Sequence, residues 1–143
     1  MERTADAAGC TIFDKSGRIL LVHQVYGKKK WALPGGVVEN GESSWEAAVR
    51  ECKEEIQIEV TDMSLSGLYF LSHRNAYVFI FRANSFSGIP TPDGIEIDEC
   101  AYFDLHDLPK PMSNFTIQRI QDVALFEKNV YMREQHVNTY VIE

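Results

Sequence analysis

Glu51, Glu54 and Glu55 bring three carboxylates into the stretch Arg50-Glu51-Cys52-Lys53-Glu54-Glu55. If this stretch is helical, Glu51 and Glu55 stack one turn apart, a like-charge pair that costs about 0.2–0.5 kcal/mol in an isolated helix. Two readings follow. Surface helices are often rich in glutamate, and repulsion this small needs no compensation, so the face can simply be solvated. Alternatively, a hard divalent cation such as Mg²⁺ takes carboxylate oxygens and brings its own charge, which turns the repulsion into a binding site. The helix alone leaves both open.

The elements that would position these carboxylates can be read from the flanking residues. Ser43 followed by Glu46 is a capping box, and Trp45, Ala48, Val49, Cys52 and Ile56 recur on one helical face. At about 100° per residue, that face covers about 100° of arc, and the glutamates fall on the other side. Pro34-Gly35-Gly36 reads as a forced turn just before the helix, preceded by an extended piece at 31–33 and a basic loop at 26–30. Residues 7–13 and 18–25 are β-prone runs around Asp14-Lys15-Ser16-Gly17 and predict a hairpin. A second hairpin is expected from 65–71 and 76–83, then a loop at 84–94 and a strand at 96–105. Residues 115–128 predict a second helix capped by Ser113 or Asn114, and 137–142 a late strand. With no repeat or linker, the expectation is one domain over residues 1–143, strands mixed with two helices.

Charge and composition restrict the function classes. The chain has 143 residues, 14 Lys and Arg against 21 Asp and Glu, and a net charge of −7. That balance repels nucleic-acid backbones and acidic membrane surfaces, so nucleic acid is an unlikely partner. Cys10, Cys52 and Cys100 are too scattered for a disulfide framework or a zinc site, and His23, His73, His106 and His136 form no metal-ligand pattern. No apolar run approaches the ~18 residues of a membrane span. The opening Met1-Glu2-Arg3-Thr4-Ala5-Asp6 lacks the order of a signal peptide. The expectation is a soluble, cytoplasmic protein.

Gly36, Glu42, Arg50, Glu51, Glu54 and Glu55 stand at the spacing G-x5-E-x7-R-E-U-x-E-E-x-G-U, and on these residues the chain resembles the Nudix hydrolases. Cys52 and Ile58 fill the aliphatic positions, and Gln57 replaces the last glycine. The preceding Trp-Ala-Leu-Pro-Gly, residues 31–35, is also common in that family. The resemblance implies an α+β fold, an α/β/α sandwich around a mixed β-sheet. Glycine at position 57 would leave the helix in a left-handed conformation that costs other residues about 1–2 kcal/mol, so Gln57 predicts a slightly different exit and a modest stability effect.

The resemblance also implies chemistry. Nudix enzymes cleave nucleoside diphosphates linked to another moiety, and a diphosphate needs metal ions to neutralise it and to lower the pKa of the attacking water. The expected ligands are Glu51, Glu54 and Glu55, completed by a backbone carbonyl of Gly35 or Gly36, with Mg²⁺ as the cofactor and Mn²⁺ as a substitute. Small residues there would let the loop approach the metal. Arg50 would hold the carboxylates in place with Glu42 as its partner. The general base is expected among the box glutamates or on a later loop, at Glu96 or Glu99, with Glu99 favoured because Asp98 to Asp104 followed by Leu108-Pro109 resembles the family's acidic and aromatic stretch. Lys30, at the end of Lys28-Lys29-Lys30, would meet the outer phosphates, although a lysine run is more often a solvated loop.

The expected substrate is a small nucleotide, ADP-ribose or a nucleotide sugar first. His73 and Arg74 stand where many ADP-ribose enzymes carry a proline, and Tyr77 lies slightly beyond a tyrosine typical of dinucleoside polyphosphate enzymes. A nucleoside triphosphate or dinucleoside polyphosphate is therefore the alternative. A rival of another class is a catalytically silent nucleotide-binding module, but such domains commonly lose box glutamates, and all three are present. The resemblance leaves room for a homodimer.

Overall fold

The computed structural model describes residues 2–136 and 141–142. In chain order the elements are β1 (Ala7–Thr11), β2 (Ile19–Gln24), β3 (Trp31–Ala32), β4 (Gly35–Val37), α1 (Ser44–Ile56), β5 (Glu59–Leu71), β6 (Ala76–Ser87), β7 (Ile97–Phe103), β8 (Met112–Ser113), α2 (Asn114–Ala124), β9 (Tyr131–Gln135) and β10 (Val141–Ile142). The strands form two five-stranded sheets, in the orders β4-β1-β6-β5-β9 and β10-β8-β3-β2-β7. The first is mixed, because β1 runs antiparallel to β4 and parallel to β6.

Strand β2 shows how the layers are divided. Leu20 and Val22 point into a core shared with Ala47, Ala48, Cys52 and Ile56 of α1, whereas Ile19 and Leu21 point into a second core with Trp31, Met112 and Ile120 of α2. Alternation with period two thus serves a helix on each face, the α/β/α layering expected.

Several expectations change. The 7–13 and 18–25 runs meet only at a single antiparallel bridge, Phe13 to Ile19, and then part into different sheets, because β1 pairs with β4 and β6 while β2 pairs with β3 and β7. Pro34-Gly35-Gly36 is not a free turn: Gly35 and Gly36 lie in strand β4 against Gly9 and Ala8. The second hairpin is longer than expected, pairing from Leu71 with Ala76 out to Glu59 with Ser87, so part of the 84–94 loop is strand. Helix α2 stops at Ala124, beyond the last buried position at Val123, and the chain turns through Lys128 at φ 89° toward β9. Of the expected strand at 137–142, Val141–Ile142 pairs with β8, and residues 137–140 lie outside the described residues.

The face of α1 is also rotated. The helix buries Ala47, Ala48, Cys52, Glu55 and Ile56, while Trp45 is 60% exposed. It lies against β1 and β4, whose facing backbone is built from Ala7, Ala8, Gly9, Gly35 and Gly36. Close approach to that surface admits alanine and cysteine and leaves no room for an indole.

Candidate active site

Helix α1 begins at a complete capping box. Ser43 Oγ accepts from the Glu46 N–H, and Glu46 Oε1 accepts from the Ser43 N–H, both at 3.1 Å. The helix start is thereby fixed, and with it the rotation of Arg50, Glu51, Glu54 and Glu55.

Arg50 ties the carboxylates together. Its Nε and Nη2 donate to the two oxygens of Glu42 at 2.8 and 3.0 Å, and Nη2 also donates to the Val37 carbonyl at 3.0 Å. Its Nη1 donates to Glu51 Oε1 at 3.0 Å and to Glu54 Oε2 at 3.2 Å. One guanidinium therefore joins the loop before α1, strand β4 and two turns of the helix. The carboxylates around it push its pKa up, and its hydrogen bonds hold Glu42 below the ordinary carboxylate range.

Glu51 packs against β4 so tightly that a Cβ on Gly36 would come within 2.5 Å of its Oε1. At Gly35 a Cβ would meet the Ala8 carbonyl oxygen at 2.4 Å. Both glycines are thus required by the packing of a carboxylate and of strand β1, a reason that holds before any metal is considered.

Glu55 is the unusual member. Its residue is 3% exposed, and its carboxylate takes one hydrogen bond, from the Gly35 N–H at 2.7 Å. Burial, with the Gly35 bond acting against it and the charges of Glu51, Glu96 and Asp93 adding to it, pushes its pKa up to about 8. Glu51 is raised as well, mainly by burial against the lowering influence of Arg50. The sequence pattern placed Glu55 on the solvent side, but the packed face of the helix carries it.

The later carboxylates separate clearly. Glu96 raises the pKa of Glu51, Glu55 and Tyr26 through its charge, so it and Tyr26 belong to this neighbourhood. Glu99 is exposed on β7 opposite His23, and its charge is felt at Cys100. Of the two late candidates, Glu96 is the one whose charge acts on Glu51 and Glu55. Asp93 holds that loop: its Oδ1 accepts from the N–H groups of Ile95, Glu96 and Ile97 at 2.9, 3.1 and 2.9 Å. Its own N–H caps the Glu55 carbonyl at 3.0 Å, tying the loop to the end of α1.

Gly35 and Gly36 also border a cavity of about 420 Å³ between the sheets, within the range of small-molecule sites. Lys30 lines it and is half-buried, whereas Lys28 and Lys29 are exposed and outside the lining, so the lysine run contributes one residue. The glutamates lie against β4, and none of them is among the described residues that line the cavity.

The NUDIX domain profile matches residues 3–123. The chain belongs to the Nudix hydrolase family. An ADP-ribose pyrophosphatase of Methanocaldococcus jannaschii is 37% identical over 107 residues, 69% of this chain and 62% of that protein. The asymmetrical bis(5'-nucleosyl)-tetraphosphatase of Caenorhabditis elegans is 46% identical over 55 residues, 36% of this chain and 40% of that protein. The chain thus matches less than two thirds of the length of these curated relatives. Among solved structures, a MutT NUDIX hydrolase from Burkholderia pseudomallei superposes with a TM-score of 0.77 at 28% identity, covering 85% of this chain and 99% of that one. A Nitrosomonas europaea NUDIX hydrolase gives a TM-score of 0.73 at 20% identity, covering 95% of this chain and 81% of that one, and so shows the shared fold.

The Nudix residues of this chain fit a hard divalent cation in donor chemistry. Glu55 is a buried carboxylate that no cationic side chain touches among the described residues, and Glu51 and Glu96 add charge of the same sign. Arg50 draws Glu51 and Glu54 toward itself, and among the described residues no three acidic, imidazole or thiol side chains converge as a ready cage. The Glu54 side chain is 59% exposed and has room to turn.

Proposed function

We propose that this chain is a Mg²⁺-dependent hydrolase of the diphosphate bond in a nucleoside diphosphate linked to another moiety, with ADP-ribose or a nucleotide sugar as its substrate. One observation carries the reading: the buried Glu55 and part-buried Glu51 carboxylates are held against Gly35 and Gly36, two glycines that also line a cavity of about 420 Å³. A solvated face would leave these groups in water. Their burial without a cation on Glu55 makes sense when an ion of opposite charge joins them.

Glu51, Glu54, Glu55 and the Gly35 carbonyl would hold the ion. Bound there, Mg²⁺, or Mn²⁺ in its place, neutralises the diphosphate and lowers the pKa of the attacking water. Arg50 is a positioning residue, keeping Glu51 and Glu54 turned toward β4 through Glu42 and Val37. Between Glu96 and Glu99, we assign the proton acceptor to Glu96, since its charge reaches Glu51 and Glu55. Lys30 meets the substrate from the cavity side. The named activity of the Methanocaldococcus jannaschii relative supports ADP-ribose as the first substrate to try. Among the described residues no helix is long and apolar enough to cross a membrane, and the three cysteines are free thiols, which supports a cytoplasmic setting.

The test is to incubate the chain with Mg²⁺ and ADP-ribose, nucleotide sugars, nucleoside triphosphates and dinucleoside polyphosphates, and to identify products by mass. Release of AMP and ribose 5-phosphate from ADP-ribose, dependent on Mg²⁺, is expected. Turnover confined to triphosphates or dinucleoside polyphosphates would replace the substrate class, and no turnover of any nucleotide would overturn the hydrolase reading.

A further inference from the structure

The cavity beside Gly35 and Gly36 is lined, among the described residues, by no Asp or Glu, although the chain carries a net charge of −7. Its ionisable lining includes Lys30, His73, Arg74 and Arg119. Lys30 is half-buried, and His73 and Arg74 are exposed. Arg119 reaches the cavity from the middle of α2.

Among the described residues, the partners of Arg119 are all neutral. Its Nε and Nη2 donate to the same atom, Gln135 Oε1, at 3.2 and 2.9 Å, while Nη1 donates to no described residue. Gln135 is held in turn by donating from Nε2 to the Phe115 carbonyl at 3.2 Å and to Gln118 Oε1 at 3.0 Å. The rings of Tyr69 and Phe115 lie 5.4 and 5.9 Å from the guanidinium and fix its plane. Asp122, the nearby carboxylate on the same helix, is occupied: Arg133 grips both its oxygens at 2.8 Å, and the Tyr69 hydroxyl donates to it at 2.8 Å. Arg119 is therefore a guanidinium that burial holds down to about 10, with no carboxylate against it and one N–H group unused among the described residues. A half-buried charge met only by an amide and two ring faces gains from an anion, and a planar fork with a free donor matches one with two oxygens to offer.

We propose that this cavity is a subsite for a phosphate ester carried by the substrate in addition to the diphosphate that is cleaved, with the half-buried Arg119 as its anchor and Lys30 and Arg74 at its mouth. The inference rests on the hydrolase reading and extends its substrates to nucleotides with a further phosphate, on a sugar or at the end of a polyphosphate chain. A phosphate monoester near neutral pH carries between one and two negative charges, enough to answer the charge that Arg119 presents.

The test uses the whole chain without metal, titrated calorimetrically with ribose 5-phosphate and with ribose. Saturable binding of the phosphate but not of the free sugar is expected, at least tenfold weaker in Arg119→Gln and unchanged in Arg18→Gln, whose partner Asp14 lies outside the cavity lining. Absence of saturable binding to the wild type, or equal affinity in Arg119→Gln, overturns the subsite. If Arg119→Gln fails to fold, the double variant Lys30→Gln with Arg74→Gln decides the matter: a loss of at least threefold supports the subsite, and unchanged affinity overturns it. With Mg²⁺, a higher kcat/KM for ADP-ribose 2′-phosphate than for ADP-ribose places the extra phosphate on the sugar, and a higher value for ATP than for ADP places it at the chain end. Equal values within both pairs refute a substrate subsite. Phosphate binding lost in Arg119→Gln upholds the subsite even where no nucleotide is hydrolysed, an outcome that counts against the hydrolase reading alone.

Discussion

At the scale of single residues, Glu55 has the clearest consequence. Its ordinary pKa of 4.5 rises to about 8 in the folded chain, so the folded protein binds a proton there across a window in which the unfolded chain has lost it. The metal-free protein must then lose stability as pH rises from about 4.5 to about 8, by up to roughly 1.4 kcal/mol per pH unit from this group. Glu55→Gln keeps an oxygen for the Gly35 N–H and has no charge to bury. Its melting temperature, followed from pH 5 to 8 without metal, is expected to fall less than that of the wild type; parallel curves would contradict the burial of an unneutralised carboxylate. Adding Mg²⁺ at pH 8 should raise the wild-type melting temperature and leave Glu55→Gln nearly unmoved. Glu51 and Glu42 divide differently, since Glu42 meets Arg50 while Glu51 meets both Arg50 and the β4 backbone. Glu51→Gln should lower kcat at least tenfold in a folded protein, whereas Glu42→Gln should act mainly through stability. Wild-type turnover in Glu51→Gln with turnover abolished in a folded Glu42→Gln would reverse these roles.

At the scale of elements, helix α1 decides most of the site, and its C-terminal exit shows how a departure from the family pattern is absorbed. Gln57 does take the left-handed conformation, at φ 59° and ψ 34°, with its N–H on the Lys53 carbonyl, so the exit is the one a glycine would make. Its side-chain amide reaches the Thr91 and Pro92 carbonyls at 3.4 and 3.5 Å, long contacts that return little of the conformational cost. Gln57→Gly is expected to stabilise the chain by about 0.5–1 kcal/mol without changing turnover, measured by urea denaturation; destabilisation would show that the amide contacts matter more than the backbone strain. The start of α1 was legible because a capping box is a local signal, and the spacing of the glutamates followed from it. Its packed face was not, because Ala47 and Ala48 pack in one core with Ala8 and Cys10 of β1, a strand far away in sequence. The same limit explains β1 and β2, whose partners lie at 76–87 and 97–103, and β9, whose Tyr-Met-Arg-Glu-Gln lacks the apolar alternation that marks a strand.

At the scale of the whole molecule, the two helices have separate tasks. Helix α1 presents carboxylates to β4, and α2 lines the cavity. A buried network secures α2: Asp122, 3% exposed, receives the Tyr69 hydroxyl from β5 and the Arg133 fork from β9. Asp122→Ala should destabilise the fold by about 2–3 kcal/mol, less than the 3–5 typical of a fully buried pair because the Arg133 side chain is 39% exposed. Thermal melting checks this, and a change below about 0.5 kcal/mol would mean that α2 is held by its apolar face alone. The central claim, that the carboxylates of α1 form a divalent-cation centre for hydrolysis against β4, is tested most directly by following ADP-ribose turnover across a Mg²⁺ titration for the wild type and Glu51→Gln side by side, with circular dichroism to confirm folding. The account predicts product from the wild type that rises with Mg²⁺ and saturates, and at least tenfold less from Glu51→Gln at every concentration. Equal turnover by the two proteins, or wild-type turnover independent of the metal, would contradict it.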